Sequence, residues 1–234
     1  VPESRIFPRT ETISFLQKNA GYNRIMTLDR RIMPPNFTAI YRLQDVAGYD
    51  PLYLNLYNQL AGSWDRNKAD ISPSAFNRIV TPLNYDNFLT DLMGVKYILS
   101  YGPLERSGFE LINSEGNTFL YLNPKVLPRA FLAEKIIKVG SDVNAINEMY
   151  RLQDELLKTA VISEEIPVKN NPLDLSDIVQ IVSYEDNRVT LNTKSSQDRL
   201  LVLTDVYYPQ WQASIDDKAT RIYKVNFALR GIVV

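Results

Sequence analysis

The chain has 234 residues, 45% hydrophobic and 23% charged, the balance of a globular protein that buries a real core. A formal net charge of −1 provides no basic field for nucleic acid, so no nucleic-acid partner is expected. The absence of cysteine and histidine excludes Ser-His-Asp and Cys-His nucleophiles and removes the common zinc, iron–sulfur and copper ligand sets, so no metal and no cofactor is expected.

Val1 to Arg9 carries two prolines and is expected to be extended. Thr10 is a suitable N-cap for a helix from Glu11 to about Lys18, ended by Gly21. Asn23–Leu28 alternates as a short strand, Arg30-Arg31 and Pro34-Pro35 mark a loop, and Asn36–Arg42 reads as extended. Asp50-Pro51 resembles a helix start, with Leu52 to Ala61 as the helix and Gly62 as its stop; the polar stretch from Ser63 to Ser74 then reads as a loop. Asp86 is the expected cap of a helix over Asn87 to Met93, and Gly94 releases it into the strand Val95–Ser100. Phe109–Ile112 and Thr118–Leu122 flank a turn and form a hairpin.

A further strand begins at Pro128 and runs to Ile137; Ser141 caps a helix from Asp142 to about Arg151, and Thr159–Ser163 is a brief strand. Glu164 to Ser176 holds two prolines, two asparagines and few apolar residues, the composition of a linker. Ile178–Tyr184 and Arg188–Asn192 make a second hairpin. Leu200–Val206 is apolar enough to be buried on both faces, and it leads through the corner Tyr207-Tyr208-Pro209-Gln210-Trp211 into an alternating strand. Asp216-Asp217 supplies a turn, and Ile222–Tyr223 and Phe227–Val234 are further strands. The expected class is α+β: a mixed α/β part over 1–163, a linker over 164–176, and a small antiparallel β-sandwich-like module over 177–234.

No run approaches the ~18 apolar residues of a membrane span, and Val1-Pro2-Glu3-Ser4 lacks the pattern of a signal peptide. A start at Val and an end within an apolar strand are what a piece of a longer protein would show.

The corner offers two readings. Its rings suit the C–H faces of a sugar, with Asp205, Tyr207, Tyr208, Trp211 and Gln212 as candidate binding residues; equally, Trp211 and one tyrosine could fill a sandwich core. Tyr49 and Asp50 are candidates for a glycan or partner contact, or Asp50 is simply a helix cap. Arg30-Arg31 suits a phosphate or lipid head group, or an ordinary solvated surface. Asn36-Phe37-Thr38 fits the N-glycosylation pattern. The carboxylates Asp45, Asp50, Asp86 and Asp91 are scattered, and no spacing pairs two of them as acid and base.

Leu201-Val202-Leu203-Thr204-Asp205 followed by Tyr207-Tyr208-Pro209-Gln210-Trp211, Ile215-Asp216-Asp217 and Ile222 to Gly231 resembles the C-terminal extracytoplasmic region of the YfhO-like family of bacterial and archaeal multi-pass membrane proteins. Gly48-Tyr49-Asp50-Pro51-Leu52, Leu92 to Leu99 and Leu127-Pro128-Arg129-Ala130-Phe131 agree with it. Gln210 and Asp217 depart from the pattern, which has glycine at both places. The resemblance implies a water-soluble domain on the extracytoplasmic face of the cell membrane, with the parent's own transmembrane region as partner. It implies an accessory role beside a polyprenyl-phosphate-sugar-dependent glycosyltransferase of cell-envelope polymers, in binding or positioning a glycan acceptor or lipid-linked sugar. The presumed catalytic carboxylates of such enzymes lie in a membrane part this chain lacks, so no catalytic residue is assigned. The alternatives are an autonomous two-carboxylate carbohydrate-active enzyme and a purely structural interaction module.

Overall fold

The computed structural model describes residues 6–72, 78–106 and 108–234; the Val1–Arg5 part of the expected N-terminal extension and the end of the expected loop at Ser74 lie outside them. The class is α+β, in two compact units. One comprises Val1–Leu54 and Ser74–Leu127, the other Asn55–Pro73 and Pro128–Val234.

The first unit is built on a five-stranded sheet in the order β2-β1-β5-β7-β6. Its strands are β1 (Arg24–Thr27), β2 (Gln44–Asp45), β5 (Val95–Tyr101), β6 (Glu110–Glu115) and β7 (Thr118–Leu122); β3 (Gly48–Tyr49) and β4 (Ile79–Val80) pair separately. β2, β1 and β5 are parallel, and β7 and β6 add as an antiparallel hairpin. Helix α1 (Glu11–Asn19) starts where Thr10 accepts a hydrogen bond from the Ile13 N–H, and it lays Ile13 and Leu16 onto Ile25, Tyr97 and Leu99. Phe37–Tyr41 is a short 3-10 helix rather than an extended segment, entered and left through left-handed Asn36 and Arg42. Asn87, not Asp86, caps the helix Phe88–Leu92, accepting from the Leu89 N–H, while Asp86 pairs with Arg106.

The expected helix at Leu52–Ala61 is displaced. Asp50 accepts the Leu52 N–H in a local turn, and helix α2 runs over Asn55–Arg66, straight through Gly62. Mid-helix glycine costs ~1 kcal/mol. Burying Trp64, which is 0% exposed, contributes roughly 4–6 kcal/mol at most. Tertiary burial therefore outweighs the glycine.

The second unit holds a six-stranded sheet in the order β8-β13-β17-β16-β10-β9. The strands are β8 (Ala130–Ala133), β9 (Lys135–Lys138), β10 (Thr159–Ile162), β13 (Leu200–Val206), β16 (Tyr223–Val225) and β17 (Leu229–Val233). β8 and β9 stand at opposite ends of that order, yet only Glu134 separates them. A flat sheet would place its edges ~24 Å apart at ~4.8 Å per strand, while two residues of chain span at most ~7 Å. The sheet must therefore coil until its edges meet, as in a barrel. The predicted strand from Pro128 to Ile137 has nearly the right extent, but one half closes one edge and the other half the opposite edge.

Strands on both sides of 164–176 share this sheet, so that segment does not divide the described units, and the expected boundaries 1–163 and 177–234 are corrected accordingly. The segment is pinned. Buried Arg199 donates to the carbonyls of Asn171 and Pro172 and to the Asp177 carboxylate, and Leu173 packs into the core. The hairpin β11 (Ile178–Glu185) and β12 (Arg188–Lys194) lays Val179, Ile181, Val189 and Leu191 on Leu132, Leu201 and Leu203, a sandwich-like layer. Helix α3 (Asp142–Leu152) crosses from β9 to its parallel neighbour β10, capped by Ser141 as expected.

The opposite face of the coiled sheet is packed to contact: a methyl at Gly231 would lie 2.7 Å from Val225 Cγ1. Asp216 and Asp217 both take left-handed angles in the turn between β14 (Ala213–Ile215) and β15 (Lys218–Thr220), while Gln210 has no positive φ. Only the second of the two glycine departures thus meets a left-handed backbone.

Asn226 and Phe227 are left-handed as well. Asn226 offsets that strain by clamping Val161, donating its backbone N–H to the Val161 carbonyl and accepting the Val161 N–H on Oδ1, both at 2.8 Å. Asn226→Ala strands a buried donor and should cost about 1–3 kcal/mol. The measurement is the urea midpoint, and an unchanged midpoint would deny the clamp any role.

Candidate functional site

The corner predicted from sequence stands at the end of β13, where buried charge gathers. Leu201 and Leu203 face the hairpin, and Asp205 continues that face. The pairing of β13 with β17 slips between Leu203 and Val206, so Asp205 lies in an irregular stretch where a side chain can leave the ladder. Its side chain is only 4% exposed. Arg129, immediately before β8, donates from Nη2 to Asp205 Oδ1 at 2.5 Å and from Nε to Thr204 Oγ1 at 3.0 Å.

Tyr184 closes the other side. Residues 179 and 181 of β11 face inward, and simple alternation would turn Ser183 inward next. The ladder shifts between Ile181 and Ser183, which leaves Val182 half exposed and turns Tyr184 toward the charge cluster opposite Val189. The Tyr184 hydroxyl donates to Asp205 Oδ2 at 2.8 Å and accepts from Arg129 Nη2 at 3.2 Å.

Arg230 of β17 completes the group. Its Nε donates to the Val206 carbonyl at 3.1 Å, and its Nη2 lies 3.5 Å from Asp205 Oδ2. The guanidinium stacks over the Trp211 ring, 4.3 Å from the centroid. Burial pulls the Arg230 pKa down and Arg129 adds repulsion, against the upward pull of Asp205 and Tyr184.

Both oxygens of Asp205 are therefore engaged within the protein, and the residue, predicted as a binding residue, lies buried beneath the corner. The corner itself points outward. Tyr208 is exposed, Tyr207 and Trp211 are partly exposed, and Gln212 is open to solvent. Trp211 is a rim residue, and the fully buried tryptophan is Trp64. Tyr49 and Asp50 are exposed but belong to the other unit, where Tyr49 exchanges two hydrogen bonds with the Asn36 side chain and Asp50 caps its local turn. Of the arginine doublet, Arg31 is paired with Asp29 and stacked on Tyr101. Among the described residues, no group of three or more Asp or Glu converges as a metal site needs.

No family model, curated protein or solved structure matches the chain. Sequence reasoning had found Asp205 and Trp211 but missed Arg129, Tyr184, Thr204 and Arg230. The available signal was Asp205 itself: a carboxylate ending an apolar strand needs a buried cation. Nothing local says which arginine.

A buried pair broken on one side leaves an unmatched charge. Arg129→Met should cost about 3–5 kcal/mol in urea unfolding, and adding Asp205→Leu should restore only part of it, because Arg230 and Tyr184 then lose their acceptor. Equal losses for the single and double variants would contradict the pairing.

In the first unit, burial pushes the Asp45 carboxyl up to about 7 from its ordinary 3.8, against the pull of the Ala47 and Val46 N–H groups. The folded chain thus holds this proton more tightly than the unfolded one, so stability falls as pH rises between those two values. Asp45→Asn should flatten that slope, compared by urea midpoints near pH 4 and pH 8. A slope unchanged by the substitution would assign it to other groups.

Proposed function

We propose that the chain is the extracytoplasmic domain of a YfhO-like polytopic membrane protein, and that its corner at Tyr207 to Gln212 binds a glycan acceptor or lipid-linked sugar for a membrane-embedded glycosyltransferase. The family part of this reading rests on the motifs in residues 48–52, 92–99, 127–131 and 201–231. The partner it names, on the resemblance alone, is the parent's own transmembrane region; no described helix of this chain is long and apolar enough to cross a membrane.

One observation carries the glycan reading: a partly exposed tryptophan held face-on by Arg230, with Tyr207, Tyr208 and Gln212 around it. A rigid indole gives a sugar ring a flat apolar surface at little entropic cost, and neighbouring hydroxyl and amide groups can fix its orientation. Asp205 and Arg129 supply the rigidity from below, and the role is accessory because the corner's only carboxylate is committed to that support.

The chain has two tryptophans, so two indole N–H resonances report on it. Titration with oligosaccharides from cell-envelope polymers should shift the Trp211 resonance and leave buried Trp64 unmoved. Trp211→Ala should abolish binding at a stability loss well below the ~3–5 kcal/mol of a core aromatic. A large loss with no glycan response in the parent protein would assign Trp211 to packing. The address is checked in the encoding reading frame, where apolar stretches of ~20 residues should flank the chain; their absence would remove it.

A further inference from the structure

The electrostatics of the same corner say more about its ligand. Two guanidiniums, Arg129 and Arg230, converge on one carboxylate. Arg129 holds Asp205 at 2.5 Å, while Arg230 reaches the other oxygen only at 3.5 Å, and Tyr184 already donates to that oxygen at 2.8 Å. Arg230 is thus a largely desolvated cation with a shared, second-best counter-charge. Among the described residues its Nη1 has no hydrogen-bond partner, and the side chain keeps 13% exposure beside the Trp211 ring. A guanidinium has five N–H donors in a planar fork, and its natural complement is a carboxylate or phosphate taken two-pronged.

We propose that the corner selects an anionic saccharide: the sugar ring lies against Trp211 and Tyr208 while an acidic oxygen, from a uronate or a sugar phosphate, reaches the open edge of Arg230. This rests on the glycan reading above and adds the charge of the ligand. The anion supplies what Asp205 cannot, a counter-charge not already committed to Arg129. Gln210 and Gln212, both exposed, flank Trp211 and can meet neutral hydroxyls, so the site divides charge and hydroxyl recognition between the guanidinium and these amides.

The test is a calorimetric titration of the full chain at low salt with four probes: a glucuronate disaccharide, glucose 1-phosphate, the neutral glucose disaccharide and inorganic phosphate. At least one acidic sugar should bind about tenfold tighter than the neutral disaccharide, with a preference that shrinks as salt rises. Which acidic probe wins separates the uronate source from the phosphate source. Arg230→Gln should erase the preference, and Arg230→Lys should restore only part of it. The wild-type comparison needs no variant, so a variant that fails to fold leaves it intact. Equal affinity for acidic and neutral disaccharides overturns the anionic selectivity and leaves the glycan reading standing. Inorganic phosphate binding as tightly as the sugars overturns the saccharide part. Binding of none of the four overturns both.

Discussion

The joint at Glu134 is the constraint on which the second unit depends. Two strands joined by one residue cannot stand at opposite edges of a flat six-stranded sheet, so the sheet coils until those edges meet. Glu134 and Lys135 both donate to the Lys158 carbonyl, which holds the joint against the strand that follows α3. Pairing of β13 with β8 and β17 brings residues far apart in sequence together at the end of β13. Arg129 enters just before β8, Asp205 leaves at the end of β13, Arg230 lies on the neighbouring β17, and Tyr184 comes from the hairpin packed on β8 and β13.

A buried ion pair is weak evidence for stability, because desolvation offsets much of the attraction. Its value here is positional. Asp205 is reached by Arg129, Tyr184 and Arg230 from three separate strands or strand ends, and the irregularities in β11 and β13 are what allow Tyr184 and Asp205 to turn toward it. The aromatic corner is anchored by the Arg230 guanidinium against Trp211 and by the Tyr207 N–H, which donates to the Ala228 carbonyl. That arrangement leaves the Trp211 ring partly exposed at the rim, while Trp64, Phe131 and Phe227 are buried among the aliphatic side chains of the core.

Family resemblance and site geometry bear on function from separate directions. The proposed address and chemistry rest on the resemblance. The geometry supplies a supported aromatic surface with an incompletely matched cation beside it. Both oxygens of the Asp205 carboxylate beneath that surface are engaged.

The α+β class, the caps at Thr10 and Ser141, both hairpins and the doubly buried strand Leu200–Val206 were legible in the sequence, because each depends on periodicity or on groups within a few residues. Asp216-Asp217 was legible as a turn for the same reason. Only the tertiary structure decided that α2 continues through Gly62, because the burial that sustains it comes from the surrounding fold. Only the fold shows that 164–176 is fastened by Arg199, since composition records the shortage of apolar residues but not a distant guanidinium that meets their carbonyls. Asp205 announced a need for a cation, and the choice of Arg129 and Arg230 was made by the pairing of β13 with β8 on one side and β17 on the other, a non-local event that leaves no spacing in the chain.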